Sequence, residues 1–550
     1  MTTETGYCNP KTSTKTLVVN IKDFGAKGDN KHNDSPALRK AINKIKENHG
    51  GTIFFPKGTY VLYDQETTNH HIKIKNASNL KLLGAEGSQI IMKNPELGGF
   101  VFVYCTNITV SNLSIDYDPV PFTQGTIVKL NSENNSFEFL KDPGYPDPTD
   151  ENYTKARKRG SLFNSDGTRN SDAGVIFIDK ITPNGSSDGK KQFTLRRSKD
   201  FTRWQDDLLK NIKVGHKFML MARYTGSHTF LFVNGTNILI EKTTVYSSPS
   251  MPFVGISCDG IKIQKCVVKI KPGTSRLIST DAEPVHLAAC RNSYNIIEDC
   301  NSSQMSDDAI NLNGRTLRVF EILDKKTIMV YQKIGGDFIK DSDTFELLDG
   351  KQNTIKGTAV LLKHTRVKNK TDAFFANKKI WKLEFDRPLD HIQINDHLAD
   401  LDACSGNFVI RNNVFSYPMG MGIRLRSING LVENNKIQYS NGAGIYIGAH
   451  LDPSEAPNGK NIIIKNNHIF HCGFGVFHSS IVNQGSIHLT SLNHKYNTVK
   501  GAYRNQNIKI SNNTIEESAR AGIYINDAID VSVIGNKIIN PNYLNNHRVY

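Results

Sequence analysis

Five short stretches near the C-terminus repeat one pattern: F-V-I-R-N-N-V-F at 408–415, L-V-E-N-N-K-I at 431–437, I-I-I-K-N-N-H-I at 462–469, I-K-I-S-N-N-T-I at 508–515 and V-S-V-I-G-N-K-I at 531–538. In each, apolar and polar residues alternate, a polar turn intervenes, and a second alternating segment begins. Alternation with period two marks half-buried strands. Asn413, Asn435, Asn467, Asn513 and Asn536 hold the same place in the pattern, and the steps from 413 to 435 and from 513 to 536 are 22 and 23 residues. A period of that size is one turn of a coil whose short strands stack in parallel. The longer steps leave room for insertions. Asparagine suits such a turn because it tolerates the left-handed region and its amide can bond along a stack. These asparagines therefore read as structural.

The same strand–turn–strand pattern runs back through 76–92 and 105–118, then 235–246, 258–270 and 291–312. Ahead of it, V-N-I-K-D-F-G-A-K-G-D (19–29) reads as a short strand ending at Asp23–Gly25, with a Gly/Asn/Asp-rich loop over 25–33. Asp34 or Ser35 caps a helix with Pro36 in its first turn, where a missing N–H costs nothing. Ala37, Leu38, Ala41, Ile42 and Ile45 form its apolar stripe, and Gly50-Gly51 ends it. A helix placed there covers the open end of a stacked core. Two segments break the period. Residues 123–223 contain alternating strands, the charged K-A-R-K-R-G (155–160) and H-K-F-M-L-M-A-R (216–223); residues 317–400 contain R-V-F-E-I-L, T-I-M-V-Y-Q, T-A-V-L-L-K-H and W-K-L-E-F. Both read as antiparallel β inserts beside the coil. The expected organisation is a polar lead-in (1–18), cap and first coils (19–122), a first insert (123–223), coils with an acidic stretch (224–316), a second insert (317–400) and C-terminal coils (401–550).

Composition narrows the function. The mean hydropathy is -0.41, and no apolar run approaches the roughly 18 residues of a membrane span. No signal peptide is visible in M-T-T-E-T-G-Y-C-N-P. The protein is thus cytoplasmic, or extracellular or periplasmic if a leader has been removed. Eight scattered cysteines form no CxxC pair, so no zinc motif is present and buried free thiols are expected. The net charge of +15 concentrates anions. Two tryptophans and no basic block with interleaved aromatics argue against a nucleic-acid groove.

The chemistry concentrates in R-L-I-S-T-D-A-E-P-V-H (276–286) and M-S-D-D-A-I-N-L-N-G (305–314). Asp281 and Glu283 fall about one coil before Asp307 and Asp308, so coiling stacks the two acidic clusters. Stacked carboxylates raise one another's pKa. Three readings follow: a pair of carboxyls for glycoside hydrolysis, a calcium-dependent polysaccharide lyase with acids on the cation, and exposed turn acids with no chemistry. Alternation places Ala309, Asn311 and Asn313 on the face of Asp307. His286 bonds a substrate or carboxylate, or is a satisfied structural histidine. Arg424 and Arg426 share a strand face and hold a sugar, or are surface arginines. Asp116 and Asp118 read as turn residues, and Trp204 and Trp381 as core or as sugar-stacking rings.

The segment D-F-G-A-K-G-D, a helix, then G-G-T-I-F-F-P-K-G-T-Y (50–60) resembles the N-terminal cap of pectate-lyase-like right-handed β-helices. The acidic stretch, with Asn112–Gly125, Ser247–Phe253, Gly422–Asn435 and Glu455–Asn467, resembles glycoside hydrolase family 110, the α-1,3-galactosidases, and more distantly family 28, the polygalacturonases. The resemblance implies an all-β, right-handed parallel β-helix with an N-terminal helical cap and two antiparallel β-rich inserts. It implies an exo-acting, inverting hydrolase of terminal α-linked galactose, with carboxyls roughly 6.5–9.5 Å apart. Carried over, Asp307, Asp308 and Glu283 are the catalytic acids. Asp308 is the expected general acid, and Asp307 and Glu283 share the base role. Asp281, His286, Asn311, Asn313, Arg424 and Arg426 are the expected substrate contacts. No metal or other cofactor is expected. The partner is an oligosaccharide or polysaccharide, anionic ones included, with no nucleic acid or membrane; a homo-oligomer is compatible. Asp281-Ala282-Glu283-Pro284 stands where the family pattern reads Asn-Ala-Asp-Gly, and Met419-Gly420-Met421-Gly422 replaces a Gly-His-Gly and a family arginine. A non-catalytic or tailspike-like glycan-binding β-helix is the rival class.

Overall fold

The computed structural model describes residues 17–63, 69–150, 159–171, 175–187, 189–197, 212–221, 227–333, 336–367, 373–375, 377–451, 454–475, 485–492 and 504–546. The lead-in to residue 16 and Trp204 lie outside them.

The chain winds into a parallel β-helix with three sheets. Two contain twelve strands each; the third contributes ten parallel rungs. About ten coils is what the repeats suggest. The additional rungs come from the cap, whose strands lack the asparagine signature. Strand Val18–Asn20 opens the first sheet, and Asp29–Asn33, expected as loop, opens the second. Helix Ser35–Glu47 covers the end, with Ala37, Leu38, Ala41, Ile42 and Ile45 buried in the common core. Asp34 sits at its N-cap, yet its carboxylate faces away from the helix and accepts from the N–H groups of Lys27 and Val61.

Inside the coil, equivalent residues of successive rungs stack. Phe100 lies over Phe230 at 5.3 Å and Phe102 over Phe232 at 4.7 Å, with nearly parallel rings. The parallel register fixes this, because each rung repeats the inward positions of the one before. The turn between the first and second sheets has two jobs, divided between adjacent residues. Asn412, Asn434, Asn466 and Asn512 take positive φ of 55–56°. The next residue turns inward: Asn413, Asn435, Asn467 and Asn513 each donate from backbone N and Nδ2 to the amide oxygen of the next asparagine, at 2.8–3.1 Å. Cys266 and Cys300 hold the same position in earlier rungs, before Val267 and Asn301. All seven described cysteines are free and buried.

Each insert forms a small barrel. Strands Phe122–Asn131, Ser136–Lys141, Arg159–Phe163, Val175–Ser187, Lys190–Arg197 and Lys217–Met221 close on themselves around Phe137, Phe139, Phe193 and Phe218. In the second, strand Ile310–Ile322 leaves the third sheet and continues into a ring with Thr327–Gln332, Lys379–Phe385, Ile355–Val367, Thr344–Leu348 and His397–Asp400. Trp381 belongs to that barrel's core. The polar tail after Asn540 makes one helical turn, Tyr543–Asn546, with the Tyr543 ring packed on Phe474.

Candidate active site

The acidic residues meet at the root of both barrels. Strand Val285–Ala288 pairs in parallel with Ile310–Asn313, and Thr280 bridges Met305. The offset is 25 residues on both flanks, so Glu283 lies at the level of Asp308 on the adjacent rung. The following rung pairs Ile310 with Ile423, which brings Met419–Gly422 against the aspartate doublet. Met421 N–H donates to Asp308 Oδ1 at 2.7 Å. A Cβ at Gly420 would stand 2.3 Å from the same oxygen, so the close approach requires glycine. The M-G-M-G departure is thus the cradle of Asp308.

The three carboxyls differ in environment. Glu283 is buried and takes His286 Nδ1 at 2.5 Å. Asn313 Nδ2 lies 3.1 Å from His286 Nε2, so the ring is held between Asn313 and Glu283. Burial opposes ionisation of Glu283, but the His286 hydrogen bond and charge prevail and its pKa falls below the ordinary value. Asp308 is buried, anchored by Met421 N–H and paired with Arg424 Nη1 at 3.4 Å; burial still raises its pKa. Asp307 keeps 31% of its side chain exposed and has Arg159 Nη2 at 3.8 Å. Burial of the hollow, then Glu283 and Asp308, push its carboxyl up to about 7.

The expected contacts form two outward rows. His286, Asn311 and Arg424 are register partners, as are Asn313 and Arg426. Asn313 Nδ2 and Arg426 Nη1 both donate to Asn311 Oδ1, at 3.2 and 3.3 Å. Neither arginine is a surface residue: Arg426 is fully buried and Arg424 retains 17% of its side-chain exposure. Ala309, expected outward, joins the core with Ile310 and Leu312. Asp281 is buried two residues before Glu283, and its backbone carbonyl accepts from Arg159 Nη2 at 3.4 Å. Asp116 is not a turn residue: it is buried and holds Arg276 through both oxygens at 2.8 and 3.0 Å, Lys271 at 3.0 Å and Ser247 at 2.6 Å. Asp118 is exposed and pairs with Lys93.

Three site residues escaped the sequence reading. Arg159 comes from K-A-R-K-R-G, which looks like any charged loop; only closure of the first barrel aims it at Asp307. Ser161, on the same strand, donates to Met419 Sδ at 2.9 Å, and Val175 and Phe177 pack on Met419. The cation beside Asp307 therefore comes from the insert, while the coil position holds methionine. Glu455 pairs with Arg426 Nη1 at 2.5 Å and Arg315 Nη1 at 3.3 Å. Burial alone would raise its pKa; Arg426, Arg315 and Arg424 instead hold it down at about 2. His228 lies two rungs before Glu283, and burial, then His286, lower its pKa to about 3, so it is a neutral imidazole. No local pattern marks Glu455 or His228; only the stacking does.

The molecule is an all-β parallel β-helix with a carboxylate-lined site. Residues 18–145 match the family described as rhamnogalacturonase A/epimerase, pectate lyase-like, and residues 400–546 match the right-handed β-helix region. Several curated relatives are named α-1,3-galactosidases. That of Shewanella woodyi is 25% identical over 476 residues, covering 74% of this chain and 72% of its own. One from Bacteroides thetaiotaomicron is 24% identical, covering 82% and 75%, and one from Phocaeicola vulgatus is 26% identical, covering 78% and 76%. Among solved structures, a hyperthermoactive exopolygalacturonase from Thermotoga maritima aligns over 94% of this chain and 92% of its own, with 13% identity and a TM-score of 0.42. The curated relatives support a glycosidase with a carbohydrate substrate.

Proposed function

We propose that the chain is an exo-acting, inverting glycoside hydrolase that removes terminal α-linked galactose from an oligo- or polysaccharide. The observation behind this reading is the stacking of Glu283 beside Asp307-Asp308 with three unlike environments. Inverting hydrolysis needs one carboxyl that holds a proton and another that stays ionised and activates water. Asp307, open to solvent and raised to about 7, suits the general acid better than Asp308, which Met421 and Arg424 pin. This exchanges the role expected for Asp308. Glu283, kept ionised and oriented by His286, suits the base, with Asp308 helping to hold water. Among the described residues, Arg424 Nε, Arg426 Nε and Nη2 and the Tyr446 hydroxyl are buried without hydrogen-bond partners, which leaves them for sugar oxygens.

The test is product release from a panel of α-galactosides, carrageenans and uronans, with NMR of the first-formed anomer. Galactose released with inverted configuration supports the proposal. Retained configuration, an unsaturated uronide, or binding without product overturns it.

A further inference from the structure

A second group of carboxylates lies at the seam between the second barrel and the coil. Asp343 precedes strand Thr344–Leu348, Asp400 ends strand His397–Asp400, and Asp402 follows it. One oxygen from each lies within 4.8 Å of the others, a span that fits donors sharing one Ca²⁺ at about 2.3–2.6 Å. The donor capacity is uneven. Asp343 Oδ2 accepts from Arg291 Nη1 and Lys340 N–H, but Oδ1 accepts only Arg291 Nη2 at 2.7 Å. Asp400 Oδ1 accepts from the N–H groups of Asp402 and Ala403 at 2.9 and 3.0 Å. Asp400 Oδ2 is buried in a residue 1% exposed and accepts no hydrogen bond among the described residues. Asp402 Oδ2 takes Thr344 N–H at 2.7 Å.

Such a buried, unsatisfied carboxylate oxygen is costly unless a proton or a cation meets it. Among the described residues, three carboxylates against the Arg291 guanidinium leave a formal charge of minus two, which one divalent ion neutralises. All donors are hard oxygens, the preference of Ca²⁺. We propose that Asp343, Asp400 and Asp402 bind one Ca²⁺ that clamps the second barrel to the coil. The seam is already built from both bodies: Arg291 belongs to a coil strand, and Asn292 N–H donates to Asp402 O at 3.1 Å. The ion therefore fixes the barrel whose strand Ile310–Ile322 also supplies Asn311, Asn313 and Arg315 to the sugar site.

The test uses the full chain stripped with a chelator and titrated with CaCl₂ by calorimetry, with thermal melts in parallel. The expected result is uptake of one Ca²⁺ per chain and a melting temperature raised by several degrees. Asp400→Asn and Asp402→Asn should each weaken uptake at least tenfold and abolish the thermal response, with an unchanged far-ultraviolet circular dichroism spectrum. No uptake by the stripped wild type means that a proton shared between Asp343 and Asp400 satisfies the seam, and overturns the proposal. Unchanged uptake in both variants overturns it equally. Neither result depends on glycosidase activity.

Discussion

Two columns of side chains climb the same coil. One, from Asn413 to Asn536, repeats a single residue type, and every amide answers the next. The other passes through His286, Asn311, Arg424, Tyr446, His488 and Tyr524, register partners on successive strands of the third sheet. It changes chemistry at every rung. Rings meet edge-on at its far end, Tyr446 on His488 at 5.6 Å and His488 on Tyr524 at 5.1 Å, while guanidinium and carboxylates crowd its middle. The same backbone register therefore supports a column that satisfies itself and one that leaves buried donors unspent. Self-satisfaction serves stability; unspent donors and crowded acids are tolerated where a ligand completes them.

The contrast can be broken by substitution. Asp307→Asn and Asp308→Asn should each lower kcat by about 10²–10⁴-fold, with an unchanged far-ultraviolet circular dichroism spectrum. Normal turnover in both variants would remove the active site from this column. Glu455→Gln leaves Arg426 buried with a neutral partner and should cost about 3–5 kcal/mol in urea unfolding, as well as activity. In the amide column, Asn435→Ala removes bonds on both sides and should cost about 1–3 kcal/mol with kcat unchanged. Asn536→Ala, at the open end, should cost less; equal losses would show that the ladder is not what holds these rungs.

The sharpest difference is in pH response. The folded pKa of Asp307, near 7, lies above the ordinary 3.8. Folding therefore favours its protonated form, and its contribution to stability is complete below about pH 4 and lost as pH rises through 7. Asp307→Asn should flatten the melting temperature between pH 4 and 8, whereas Asn435→Ala should shift the whole curve without changing its slope. In the wild type, kcat/KM should fall above about pH 7 as the acid form of the free enzyme is lost.

Much of this was legible along the chain. The asparagine period gave the coil, and a separation of about one coil stacked the two acidic clusters; the register then set Glu283 level with Asp308. Local order, however, revealed nothing of Arg159, Glu455 or His228. Their partners lie across barrel closure or one to several rungs away, and no spacing rule spans an insert. Asp116 misled for the same reason: I-D-Y-D-P looks like a turn, and its three cationic and hydroxyl partners sit at 247, 271 and 276.

Sequence by itself determined the winding, the inward stack and the identity of the paired acids, because a repeat of fixed length brings equivalent positions together whatever lies between. Tertiary structure alone decided the ionisation of those acids. Charge and burial act through space, and the groups that set them apart (Arg159 from one barrel, Arg315 at the root of the other, Glu455 and the Gly420 cradle from later rungs) meet only when the coil and both barrels have closed.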